Sequence, residues 1–109
     1  MLHSSSKALE IKCGEGQFLS RIHQRSNADC LGIDINQSCI ETAKQNALGE
    51  ILRFLLNDVK DAPLEKRNFD LAVCIDSTHA FSQGEWSYTN ALKQMSERAK
   101  PNSLILLGE

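Results

Sequence analysis

The chain has 109 residues, enough for one domain with one modest core. Hydrophobic residues make up 41%, charged residues 24%, and the net charge is −2, the balance of an ordinary globular domain. There is no basic block, no acidic tail and no apolar run of membrane-spanning length, so neither nucleic acid nor a membrane is an expected partner.

The opening Met1-Leu2-His3-Ser4-Ser5-Ser6-Lys7 lacks the apolar core of a signal peptide, and the expected location is cytoplasmic. The first strand runs over Lys7–Ile11 and enters a turn containing Gly14 and Gly16. A helix over Gly16–Arg25 follows, with Phe18, Leu19 and Ile22 on its inner face. Cys30–Asp34 is the second strand. Gln37–Leu48 is a helix capped by Asn36 or Ser38, with Ile40, Ala43, Ala47 and Leu48 on one stripe. Ile51–Leu56 is the third strand, and Asp58–Asn68, with Pro63, is a connection. Phe69–Ile75 is a near-continuous apolar strand of the kind covered on both faces. Glu85–Ala99 is a helix with Ala91, Leu92, Met95 and Ala99 inward; Pro101 and Asn102 break it, and Ser103–Leu107 is the fifth strand.

The cysteines Cys13, Cys30, Cys39 and Cys74 include no Cys-x-x-Cys pair and read as buried, reduced thiols, with no zinc site. His3 and His23 read as surface residues. Alternation of strand and helix predicts a parallel sheet, with a ligand crevice at the carboxyl ends of the first, second and fourth strands. A glycine turn after the first strand lets backbone approach a ligand closely, and Asp34, ending the second strand, suits a pair of ribose hydroxyls. A dinucleotide fingerprint would need a third glycine where Leu19 stands, so a nicotinamide-dependent oxidoreductase is the weaker reading.

Glu10-Ile11-Lys12-Cys13-Gly14-Glu15-Gly16, Gly32-Ile33-Asp34-Ile35-Asn36, Asn57-Asp58-Val59, Asn68–Cys74 and Leu92–Leu107 follow one another in the order of the class I S-adenosylmethionine-dependent methyltransferases. The chain resembles that family over essentially its whole length, and Cys74-Ile75-Asp76-Ser77-Thr78-His79-Ala80-Phe81 is similar to a bacterial small-molecule branch of it. The resemblance implies a Rossmann-like three-layer α/β/α sandwich, sheet order 3-2-1-4-5, forming a single domain over residues 1–109. It implies S-adenosyl-L-methionine as cofactor and a small-molecule methyl acceptor. Glu10, Cys13, Gly14 and Gly16 belong to the turn that meets the methionine part, Asp34 and Ile35 to the ribose side, and Asp58 and Val59 to the adenine side, with Cys74, near the end of the fourth strand, as a further cofactor-binding candidate. Asp76 and His79 follow that strand as candidate bases toward the acceptor. Trp86 and Tyr88 either cover an apolar substrate or dock the last helix.

Two departures carry expectations of their own. Lys12 stands where the family's first motif has a glycine; its side chain either pairs with the cofactor's carboxylate or obstructs the pocket, and reduced affinity is the expectation. The chain also lacks the helix that usually precedes the first strand, and the helix and terminal antiparallel strands that usually follow the fifth. A partial domain of this kind leaves apolar Leu104–Leu107 on an open sheet edge. The expected outcome is a homodimer through that edge, an aggregation-prone monomer or a fragment of a larger fold. A binding module without turnover is the alternative to an active enzyme.

Overall fold

The computed structural model describes residues 2–47, 51–57, 67–75 and 88–107, the last with side chains over residues 92–106. The elements are β1 (Lys7–Ile11), α1 (Gln17–Ser26), β2 (Asp29–Asp34), α2 (Gln37–Asn46), β3 (Leu52–Leu56), β4 (Phe69–Cys74), α3 (Tyr88–Arg98) and β5 (Ala99–Leu107). The five strands form one sheet in the order β3-β2-β1-β4-β5, with all neighbours parallel. Glu10 lies opposite Gly32 on one side and Val73 on the other, and Ile11 lies opposite Ile33. The carboxyl ends of β1, β2 and β4 therefore meet at one edge of the sheet.

Side chains alternate along each strand, and the two faces carry separate cores. Leu9, Ile11, Ile33, Ala72 and Cys74 pack with Met95 of α3. Ala8, Cys30, Phe54, Leu71 and Val73 face the other way, toward Leu19 of α1 and Ile40 and Ala43 of α2. The central strands are covered on both sides, which is why β1, β2 and β4 read as nearly unbroken apolar runs. The result is the expected Rossmann-like α/β/α sandwich with strand order 3-2-1-4-5.

Helix ends follow local chemistry. Asn36 caps α2, its Oδ1 accepting the Cys39 N–H at 3.0 Å, an interaction worth about 1 kcal/mol. Asn27 ends α1 in a left-handed conformation, φ 57°, and its N–H donates to the His23 carbonyl.

Four expectations need correction. His23 is buried at 8% exposure, because its Nδ1 pairs with the Ala28 carbonyl at 2.8 Å and satisfies the ring inside the core. Phe18 and Leu92 turn away from their predicted core faces and are exposed at 36% and 47%; at the first turn of α1 the stripe that reaches the sheet is carried by Leu19. β5 starts directly after α3 at Ala99, without the predicted break. Pro101 and Asn102 instead lie in an irregular stretch, where the pairing jumps from Phe69↔Ala99 to Leu71↔Leu104 and Asn102 takes φ 65°. α2 ends at Asn46, so Ala47 is its C-cap; Leu48 lies outside the described residues.

Cys13, Cys30 and Cys74 are buried as expected, whereas Cys39 is half-buried. Among the described residues no helix is long and apolar enough to cross a membrane.

Candidate functional site

β1 delivers Glu10 to the carboxyl edge, and the chain then turns into α1 through three left-handed residues: Lys12 at φ 55°, Gly14 at 58° and Gly16 at 80°. Glycine enters this region without penalty, whereas a side chain crowds the backbone there. The two glycines use that freedom differently. A side chain at Gly14 would meet nothing within 4 Å, so the backbone faces open space at this point. At Gly16 a Cβ would fall 2.4 Å from the Phe54 ring, so its missing side chain is space taken by the core.

Asp34 ties β2 to this turn. Its Oδ2 accepts the Gly14 N–H at 2.8 Å and its Oδ1 accepts the Asn36 N–H at 2.9 Å. Each oxygen keeps the capacity to accept one further hydrogen bond. The carboxylate is thus fixed by two backbone donors before any ligand hydroxyl arrives.

Glu10 is 3% exposed. Its Oε1 has no hydrogen-bond partner among the described residues. Burial pushes its carboxyl up to about 8; the Leu19 amide pulls the other way, and the Asp34 charge adds to the rise. An acid held in this state is relieved by an incoming cation, which both favours the carboxylate and completes its hydrogen bonding.

Between these acids lies a cleft of about 270 Å³ whose walls include Glu10, Lys12, Cys13, Gly14, Asp34 and Ile75. Glu15, Gln17 and Phe18 complete the lining on the α1 side. Sequence reading gave Phe18 to the core; a residue in the first turn of a helix that points at the crevice has the same spacing as one that points at the sheet. Cys13 is 8% exposed, with burial first and then the Glu10 and Asp34 charges pushing its thiol up, so it stays protonated.

The structure thus brings Glu10, Cys13, Gly14 and Asp34 together. It places Gly16 behind the turn and Cys74, fully buried, in the core facing α3. Ile35 is 66% exposed beside Asp34, an uncovered apolar side chain next to the acid. Asp58, Val59, Asp76, His79 and Trp86 lie outside the described residues, as does the side chain of Tyr88. A larger hollow, about 870 Å³, opens at the opposite end of the sheet, with Ile22, Leu71 and Leu104 in its walls. It holds none of the glycine turn and lies at the amino ends of the strands. The smaller cleft is the candidate site, because ligands of open parallel sheets sit outside the strands' carboxyl ends.

The sequence model of a family described as "Methyltransferase domain" matches residues 8–102. Among curated proteins, phthiotriol/phenolphthiotriol dimycocerosates methyltransferase of Mycobacterium tuberculosis is 26% identical over 76 residues, covering 69% of this chain and 28% of that protein. The chain thus spans 28% of the length of the curated relatives it matches. Among solved structures, geranyl diphosphate C-methyltransferase from Streptomyces coelicolor A3(2), in complex with Mg2+, geranyl diphosphate and S-adenosyl-L-homocysteine, superposes with a TM-score of 0.84. It is 14% identical, with coverage of 97% of this chain and 40% of that one. A SAM-dependent methyltransferase from Geobacter sulfurreducens, in complex with S-adenosyl-L-homocysteine, gives 0.81 at 20% identity, covering 99% and 43%. At these identities the structural likeness speaks for the fold.

Proposed function

Because the chain belongs to the methyltransferase domain family over residues 8–102, we propose that it binds S-adenosylmethionine in the β1–β2 cleft and serves methyl transfer to a small molecule. The observation that carries this reading is the pairing of two unlike acids across the glycine turn. Glu10, buried with an oxygen that has no partner among the described residues, suits the cofactor's amino group. Asp34, already oriented by Gly14 and Asn36, suits the ribose hydroxyls. Open space at Gly14 leaves room for close approach to the backbone. The residues present fit the cofactor on these three counts.

When bound, the cofactor supplies an electrophilic methyl group on a sulfonium, open to in-line attack. The chain's part is positioning. Catalysis of this kind rests mainly on proximity and orientation, so fixed backbone and oriented carboxylates do most of it. Ile75 brings the end of β4 to the cleft wall. Asp76 follows it in sequence, and Asp76 or His79 takes the acceptor's proton where the nucleophile is an oxygen or nitrogen. Asp58 and Val59 are assigned to the adenine side by their place after β3. The domain is single, and cysteines buried in its core suit a reducing compartment such as the cytoplasm. Pairing of β5 edges in a homodimer completes the reading, since β5 is the outer strand of the sheet and pairs with β4 on one side.

Calorimetric titration with S-adenosylmethionine and S-adenosylhomocysteine tests the site, and S-adenosylhomocysteine formation with a panel of small acceptors tests the reaction. Binding with turnover supports both halves. Binding without turnover supports a cofactor-holding module, and no binding by the folded chain rejects the reading.

A further inference from the structure

Lys12 lines the cleft and holds a left-handed φ of 55°. That conformation carries a steric cost that a glycine avoids. Among the described residues lining the cleft, Lys12 alone is basic; Glu10, Glu15 and Asp34 are acids. The amino-acid end of the proposed cofactor carries an ammonium and a carboxylate on one carbon. A cleft of acids alone would attract the first and repel the second. Glu10 and Lys12 are separated by one residue, so their Cα atoms lie no more than about 7 Å apart, a span that lets both reach one α-carbon's substituents. The cleft also stays open, at about 270 Å³, with Lys12 in its wall, so the side chain does not fill it.

We propose that Lys12 anchors the carboxylate of the ligand's amino-acid end, opposite Glu10 and the ammonium, and selects for ligands that keep this carboxylate. The proposal rests on the cofactor reading above and replaces the obstruction expected from the sequence with recognition. Lys12 takes a cost in backbone conformation and, among the described residues lining the cleft, supplies the positive charge that faces the ligand's carboxylate.

The test is calorimetric titration of the 109-residue chain and its Lys12→Gly, Lys12→Gln and Lys12→Arg variants. The probes are S-adenosylhomocysteine and 5′-methylthioadenosine, which lacks the amino-acid end. Glycine is at ease at this φ, so the Lys12→Gly chain folds without added strain. The expected result is a loss of about tenfold or more in S-adenosylhomocysteine affinity for the Gly and Gln variants, the size of a lost charged hydrogen bond. Arginine restores the affinity, and 5′-methylthioadenosine binds all four chains within roughly twofold. Unchanged or tighter S-adenosylhomocysteine binding by Lys12→Gly overturns the proposal, because the lysine then obstructs. Equal losses for both probes overturn it too, because the residue then only shapes the turn. Wild-type chain that binds neither probe rejects the cofactor reading itself, and the proposal with it.

Discussion

Two neighbouring strands end in acids at the same cleft, and the fold treats them in opposite ways. Asp34, closing β2, is held by two backbone N–H donors at 2.8 and 2.9 Å. Glu10, near the end of β1, is buried with one oxygen that has no partner among the described residues, and its carboxyl is pushed up to about 8. One acid is oriented at the expense of little; the other is kept under tension until a ligand completes it. The difference shows that residue type alone does not define a carboxylate's role. Its supply of donors does.

The contrast predicts its own largest test. Glu10 is neutral in the folded protein up to about 8 but ionises near 4.5 in the unfolded chain. Between those values the unfolded state binds fewer protons, so stability falls as pH rises and levels off above about 8. The loss over that window is on the order of 4 kcal/mol, a large share of a small domain's stability. Urea unfolding of the wild type and Glu10→Gln at pH 5 and pH 9 measures it. The Gln variant is expected to lose most of this slope, and equal slopes in the two proteins would erase the contrast.

Removing the pre-oriented acid comes next in size. Asp34→Ala strips two backbone donors of their acceptor and takes away the hydroxyl site, so S-adenosylhomocysteine affinity is expected to fall about 100-fold. Calorimetry reads this directly; a loss below about tenfold would mean that Asp34 serves the turn more than the ligand.

The smallest effect separates the glycines that frame the acids. Gly14→Ala strains a left-handed position but meets open space, at a cost of about 1 kcal/mol in thermal unfolding. Its ligand affinity is expected to drop more than its stability suggests, because the new methyl group enters the cleft. A variant that keeps full affinity would place the ligand elsewhere.

Much of this arrangement was readable in the sequence. The strands, the Asn36 cap and burial of three cysteines came from apolar runs, a cap position and thiol usage, whereas the strand order came from the resemblance to class I methyltransferases. The place of Asp34 at the carboxyl edge of the sheet was readable from the end of the second strand, but its bond to the Gly14 amide was not. His23 was not, because a polar residue's burial depends on a partner carbonyl five residues on, at Ala28. The exposure of Leu92 was not either, since helical spacing alone cannot tell the edge of the inner face from its centre. The left-handed turn at Lys12 was hidden for a related reason: the residue's charge is visible in a sequence and its φ is not.

Phe54 has a reach beyond its strand. Its ring fills the room left by the missing side chains at Gly16 and Gly32, where a Cβ would come within 2.4 and 2.8 Å of it. The sheet-edge strand β3 thereby props the turn from below. Because one ring joins β3 to the turn, a ligand that steadies the turn is expected to steady β3 as well. A ligand that steadies the turn slows amide exchange in Leu52–Leu56, a strand with none of the cleft-lining residues, and loosening of that strand is felt as weaker binding.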